Sequence, residues 1–111
     1  MGESSDRIIE LERRILRALC DGESSDDVWR EAQCALADYK WREPDHSVVY
    51  QAVAKLRARE TRNWRAQLPA QATRMGFPDL NWEAYLQQQD ESTEQIRDLL
   101  IELKALGGRG A

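Results

Sequence analysis

At 111 residues the chain is long enough for one domain with a modest core and no covalent staples. Its 16 Lys and Arg against 20 Asp and Glu give a formal charge of -4, which argues against a general nucleic-acid coat but leaves room for a local basic patch. Two cysteines make no disulfide framework, no charged-then-apolar leader opens the chain, and no apolar run approaches the roughly 18 residues of a membrane span, so a soluble, reduced, cytoplasmic protein is expected.

Residues 1–5 read as a polar leader. Ser5 or Asp6 is placed to cap a first helix running to about Leu19, with Ile8, Leu11, Ile15, Leu16 and Leu19 along one face. Glu10 then faces Arg13 and Arg14, and Glu10 and Glu12 belong to the solvated side. Asp21-Gly22 ends this helix. Ser24-Ser25-Asp26-Asp27 opens a second one, which buries Val28, Trp29, Ala32, Ala35, Leu36 and Tyr39.

Trp41 to Leu56, WREPDHSVVYQAVAKL, has the clearest start signal and apolar face. Pro44 disfavours helix at Glu43, Asp45 is a candidate N-cap, and Val49, Val53 and Leu56 recur at helical spacing. It predicts a central helix over about 45–59. Asn63 is a candidate cap for a short helix containing Leu68, Ala72 and Met75. Pro69 means that this helix bends there, or starts just before Pro69 with Trp64 left on the loop. Gly76-Phe77-Pro78-Asp79 reads as a turn whose Phe77 plugs the core. Asn81 is placed to cap Trp82 to Gln87, with Trp82, Tyr85 and Leu86 on one side. A hydrophilic connection over 87–91 leads to Ser92-Thr93-Glu94-Gln95, which fits a capping box. The last helix, about 93–106, carries Ile96, Leu99, Leu100, Leu103 and Leu106 and stops at Gly107-Gly108. The expected fold is all-α: a compact bundle of five to six helices over residues 6–106, with a flexible tail over 107–111.

No constellation for catalysis stands out. His46, the one histidine, sits in the first turn of a helix with no nucleophile or second metal ligand beside it, and reads as a helix-terminus or packing residue. Cys20 and Cys34 are isolated and read as small hydrophobes. No phosphate loop is present. The expectation is therefore a non-enzyme with no cofactor, no metal and no small-molecule substrate. Lys55, Arg57, Arg59, Arg62 and Arg65, with Trp64 beside them, could hold a nucleic-acid backbone and stack a base. The competing reading is cations complementing a helix C-terminus. Four tryptophans against one phenylalanine imply indoles used as filling, and any exposed one marks a contact surface.

The order LERRILRALCDGESSDDVWREA, WREPDHSVVYQAVAKLRARE, a polar loop, a Leu68-centred short helix and Trp82-Glu83-Ala84-Tyr85-Leu86 resembles the N-terminal domain of the bacterial DnaB-type replicative helicase. Trp41, His46, Val49-Tyr50 and Leu56 fill that family's core slots, and Tyr85-Leu86 resembles its closing Tyr-Leu pair. The likeness runs from about Glu10 to Leu86. It implies a helical interaction module without ATPase activity, of the kind that builds the helicase collar and helps contact the primase. The family's long helical hairpin is represented here by one helix, Thr93 to Leu106.

The leading expectation is thus a protein-interaction domain, replication-associated through helicase or primase, or self-associating as a dimer. Its candidate contact residues are Trp82, Tyr85, Leu99, Leu103 and Leu106. The alternative is a small nucleic-acid-associated regulator using the basic cluster.

Overall fold

Helix α1 covers Gly2–Leu19, α2 Asp26–Ala35, α3 Pro44–Ala58, α4 Leu68–Arg74, α5 Glu83–Leu86 and α6 Thr93–Gly107, with a 3-10 turn over Trp64–Gln67. This computed structural model describes residues 2–21, 26–60, 62–87 and 92–107, the side chains of 2–5 and 107 excepted. The expected end at Gly22, the Ser24-Ser25 cap, most of the connection before Ser92 and the tail beyond Gly107 lie outside them. Among the described residues there is no strand. The radius of gyration of 13.4 Å matches the ~13 Å of a single compact unit of this length.

The apolar stripes point where their spacing requires. Leu11, Ile15, Leu16 and Leu19 of α1 are fully buried and meet Val49 and Val53 of α3 and Leu103 of α6 in one cluster. Helix α1 packs on α3, α5 and α6, α2 on α6, and α3 on α4. The alanine of α2 at the contact, Ala32, is fully buried. Surface ion pairs strap α6 from both sides: Arg97 to Glu31 of α2 at 2.6 Å and Arg7 of α1 to Glu102 at 2.8 Å. Each is exposed to solvent and screened by it, so the straps contribute little to stability.

Helix ends follow local chemistry, with several revisions. At α6 the capping box forms as expected: the Ser92 N–H donates to Gln95 Oε1 at 2.8 Å, and the Gln95 N–H to Ser92 Oγ at 3.2 Å. Helix α1 begins at Gly2, ahead of the expected cap at Ser5 or Asp6, because nothing between Gly2 and Asp6 breaks a helix. In α3 the cap position is Glu43, not Asp45: Pro44 occupies the first helical position, where a missing N–H costs nothing, and Glu43 is extended at φ -99, ψ 120. Asp45 still lies in the first turn, where its charge suits the dipole. Helix α4 starts at Leu68, so Pro69 opens the helix rather than bending it, and Trp64 rides on the preceding 3-10 turn. Helix α5 begins at Glu83 with Trp82 in the cap position, one residue beyond the expected Asn81.

Phe77 does not plug the core; it is 45% exposed. Helix α4 ends in a Schellman motif: Phe77 N–H donates to the Ala72 carbonyl at 2.9 Å and Gly76 N–H to that of Thr73 at 3.0 Å. Phe77 therefore sits beside the helix end, and Gly76 takes the left-handed conformation with φ +97. No atom lies within 4 Å of where a Cβ at Gly76 would stand, so the penalty for a side chain there is backbone strain alone. Gly76→Ala should lower unfolding free energy by about 1 kcal/mol, read from the urea midpoint at unchanged slope.

Candidate functional site

The principal polar feature of the interior is one that periodicity hides. Glu12 is on α1 between Leu11 and Arg13 and was expected in solvent, yet it is 0% exposed. Its carboxylate accepts the Tyr39 hydroxyl at 2.5 Å, the Arg42 backbone N–H at 2.8 Å, the Glu43 backbone N–H at 3.3 Å and His46 Nδ1–H at 2.7 Å. An ionised carboxylate only accepts, so the histidine places its proton on Nδ1. Four donors from the loop and first turn of α3 thus converge on one acid of α1. They occupy the carboxylate and hold the entry to α3.

His46 is 3% exposed. Its ring stands edge-on to Tyr85 at 5.7 Å and to Trp41 at 6.4 Å. It is a packing and hydrogen-bonding residue, as its helix-terminus position suggests. Tyr85 in turn meets Trp82 at 6.1 Å, and Trp41 meets Tyr39 and Tyr50, which touches Trp29. Burial raises the pKa of every tyrosine: Tyr39 through desolvation and then the Glu12 carboxylate, Tyr50 through desolvation, and Tyr85 through desolvation with Asp45 and Glu43, to about 12.

The expected contact residues separate. Tyr85, Leu99 and Leu103 are 6%, 6% and 0% exposed and belong to the chain's own core, so they present no surface to a partner. Their burial follows from α6 lying across α1 and α2 and from α5 lying on α1. Trp82 and Leu106 are half-buried; the open large side chain of α6 is instead Ile101, at 69%. On α5, Arg17 Nε–H donates to the Ala84 carbonyl at 3.2 Å and Arg65 to that of Leu86, so two arginines pin its last turn. Trp82, Glu83, Leu86 and Gln87 line an open depression of about 410 Å³ on its outer side.

The basic cluster separates too. Lys55, Arg59 and Arg62 are exposed. Arg65 is half-buried on the Leu86 carbonyl, and Arg57 lies between two indoles, 5.2 Å from the Trp29 centroid and 4.7 Å from that of Trp64. Desolvation lowers the Arg57 pKa. Arg57 and Arg65 are therefore committed inward and are not part of an open cationic strip, because the left-handed Glu60 and Asn63 (φ 52 and 53) fold Trp64 back over α3. Arg57 also forms one wall of a cleft of about 520 Å³ between α2 and the end of α3.

No group of three or more metal-ligating side chains occurs among the described residues. No described helix is long and apolar enough to cross a membrane. Comparison with known protein families, with curated proteins and with solved structures gave no match.

Glu12→Gln keeps the shape and one accepting oxygen but turns the other into an NH2 that faces two of the four donors. It should cost about 3 kcal/mol of stability, seen as a lower urea midpoint. Alkaline pH should act through the raised groups. Burial pushes the Cys20 thiol from 9.0 to about 12. The folded state therefore holds protons that the unfolded state loses, and stability falls as pH rises from about 9 through 12. Ultraviolet titration should show tyrosinate and the second thiol appearing with unfolding, while the exposed Cys34 alone reacts with a thiol reagent at neutral pH.

Proposed function

We propose that this chain is a non-enzymatic protein-interaction domain of the kind its likeness to the replicative-helicase collar domain implies, and that it docks through the outer face of α5. The observation that carries this reading is the setting of Trp82. Its indole is half-buried against Tyr85 and borders the open depression with Leu86. The helix beneath it is held by Arg17 and Arg65 through the Ala84 and Leu86 carbonyls. An aromatic anchor whose backbone is fixed before contact loses little entropy on binding, which is the property shared by residues that dominate interfaces. The partner in this reading is a replicative helicase or primase.

Calorimetric titration of the chain into each of these proteins tests it. Binding is expected with one of them, and Trp82→Ala should weaken it by about 2 kcal/mol, roughly thirtyfold. Absence of heat with both removes the replication link; binding untouched by Trp82→Ala moves the contact elsewhere. Self-association through α6 has less to offer, because Leu99 and Leu103 are already used internally. The nucleic-acid reading rests on Lys55, Arg59 and Arg62 alone, and needs a salt-sensitive affinity that Arg59→Ala with Arg62→Ala abolishes.

A further inference from the structure

The rings that gather beside Glu12 are close enough to pass electrons. Tyr39 and Trp41 are both half-buried, with centroids 5.1 Å apart and the rings edge-on. Trp41 also meets Tyr50 at 5.4 Å, and Tyr50 lies 5.6 Å from Trp29. An electron vacancy created on either indole can therefore move through this group by short steps between touching rings. Trp41, partly open to solvent, is the natural point of entry.

Where the vacancy comes to rest depends on where a proton can go. A phenol that has lost an electron is a very strong acid, and a phenol free to shed its proton during oxidation yields its electron more easily than an indole does. The Tyr39 hydroxyl donates to Glu12 Oε2 at 2.5 Å, within reach of direct proton transfer. Desolvation and the adjoining carboxylate raise the Tyr39 pKa, so the phenol keeps its proton until an electron leaves. Glu12 is fully buried, and its negative charge draws a positive vacancy towards it. Taking up the proton then removes a charge held out of water. The other donors, the Arg42 and Glu43 N–H groups and His46 Nδ1–H, keep the acid in place throughout. Among the described residues the Tyr50 and Tyr85 hydroxyls have no acceptor of this kind. Their protons would have to go to water, a far weaker base than a carboxylate.

We propose that the Tyr39–Glu12 pair is a one-electron oxidation site that receives vacancies made on Trp41 by small inorganic radicals. The attacking radical takes one electron from the Trp41 indole and becomes its anion. Tyr39 returns one electron to the indole. The phenolic O–H bond breaks, its proton bonds to Glu12 Oε2, and a neutral tyrosyl radical remains. The new Glu12 O–H donates back to the phenoxyl oxygen, so the hydrogen bond survives with its direction reversed. The site is independent of docking at α5.

Azide radical, generated by pulse radiolysis of the folded chain at neutral pH, is the probe, because it oxidises indoles selectively. Transient absorption of the wild type should show the indolyl signal converting into a tyrosyl one, more slowly in heavy water than in light water. Tyr39→Phe should lose most of the tyrosyl signal and leave the indolyl radical in its place, whereas Tyr50→Phe should retain it. Glu12→Gln presents an amide that cannot hold the proton, and should slow the conversion about a hundredfold. Should that variant fail to fold, the heavy-water comparison in the wild type decides. The proposal is overturned by absence of a tyrosyl signal in the wild type, by equal rates in the two waters, by an undiminished tyrosyl signal in Tyr39→Phe, by its complete loss in Tyr50→Phe, or by a folded Glu12→Gln converting at the wild-type rate.

Discussion

A single buried carboxylate sets the relation between the first helix and the third. Glu12 lies at the bottom of the seam between them, and everything that approaches it is a donor: a phenol, an imidazole N–H and two peptide N–H groups. Taking a charge out of water costs several kcal/mol, and only a full set of charge-assisted hydrogen bonds offsets it. The arrangement therefore tolerates little sliding. If α3 moved along α1 by one turn, four donors and one acid would be stranded together. Apolar contacts such as Leu11 and Val49 draw the helices together without direction, while Glu12 selects one register among those they would accept.

From this node the aromatic residues spread outward in one connected set. Trp82, Tyr85, His46, Trp41, Tyr50 and Trp29 touch in sequence, Tyr39 joins at Trp41, and Arg57 bridges Trp29 to Trp64. Every tryptophan and tyrosine of the chain takes part. With a single phenylalanine available, large rings with a polar edge must fill space that purely apolar ones would otherwise occupy. The Tyr39 hydroxyl donates to Glu12, and the rings pack tilted or edge-on, as ring quadrupoles favour. The depression at Trp82 and the cleft at Trp64 lie where this set reaches the surface.

What could be read in advance is what local chemistry decides. Ser92 and Gln95 are three residues apart, and their reciprocal bonds need nothing from the rest of the chain. The stripes of α1, α3 and α6 likewise depend only on spacing. Glu12 was unreadable for the opposite reason: its partners lie 27 to 34 residues away, and a charged residue beside Arg13 looks like surface. One signal was present, since Glu12 follows Leu11 within an otherwise apolar arc. Phe77 is hard to place from sequence because a glycine before it reads as a generic turn, whereas Gly76 closes a helix and turns the next side chain outward. Arg57 and Arg65 looked like a cationic strip because spacing along α3 does not reveal that Trp64 folds back over it. Leu99 and Leu103 were assigned to two possible roles, packing or association, and tertiary contact with α1 and α2 assigned them to the first.

The straps on α6 join residues far apart in the chain, Arg7 to Glu102 and Glu31 to Arg97. During synthesis from the N-terminus, α1 and α2 emerge long before the segment that covers them. Until α6 arrives, the apolar faces of α1 and α2 on which it packs stand open on the nascent protein. Such a surface is what chaperones bind and what neighbouring chains on a polysome stick to. The final helix is therefore a lid on a hydrophobic trough, and its delay in arriving is built into the order of the sequence.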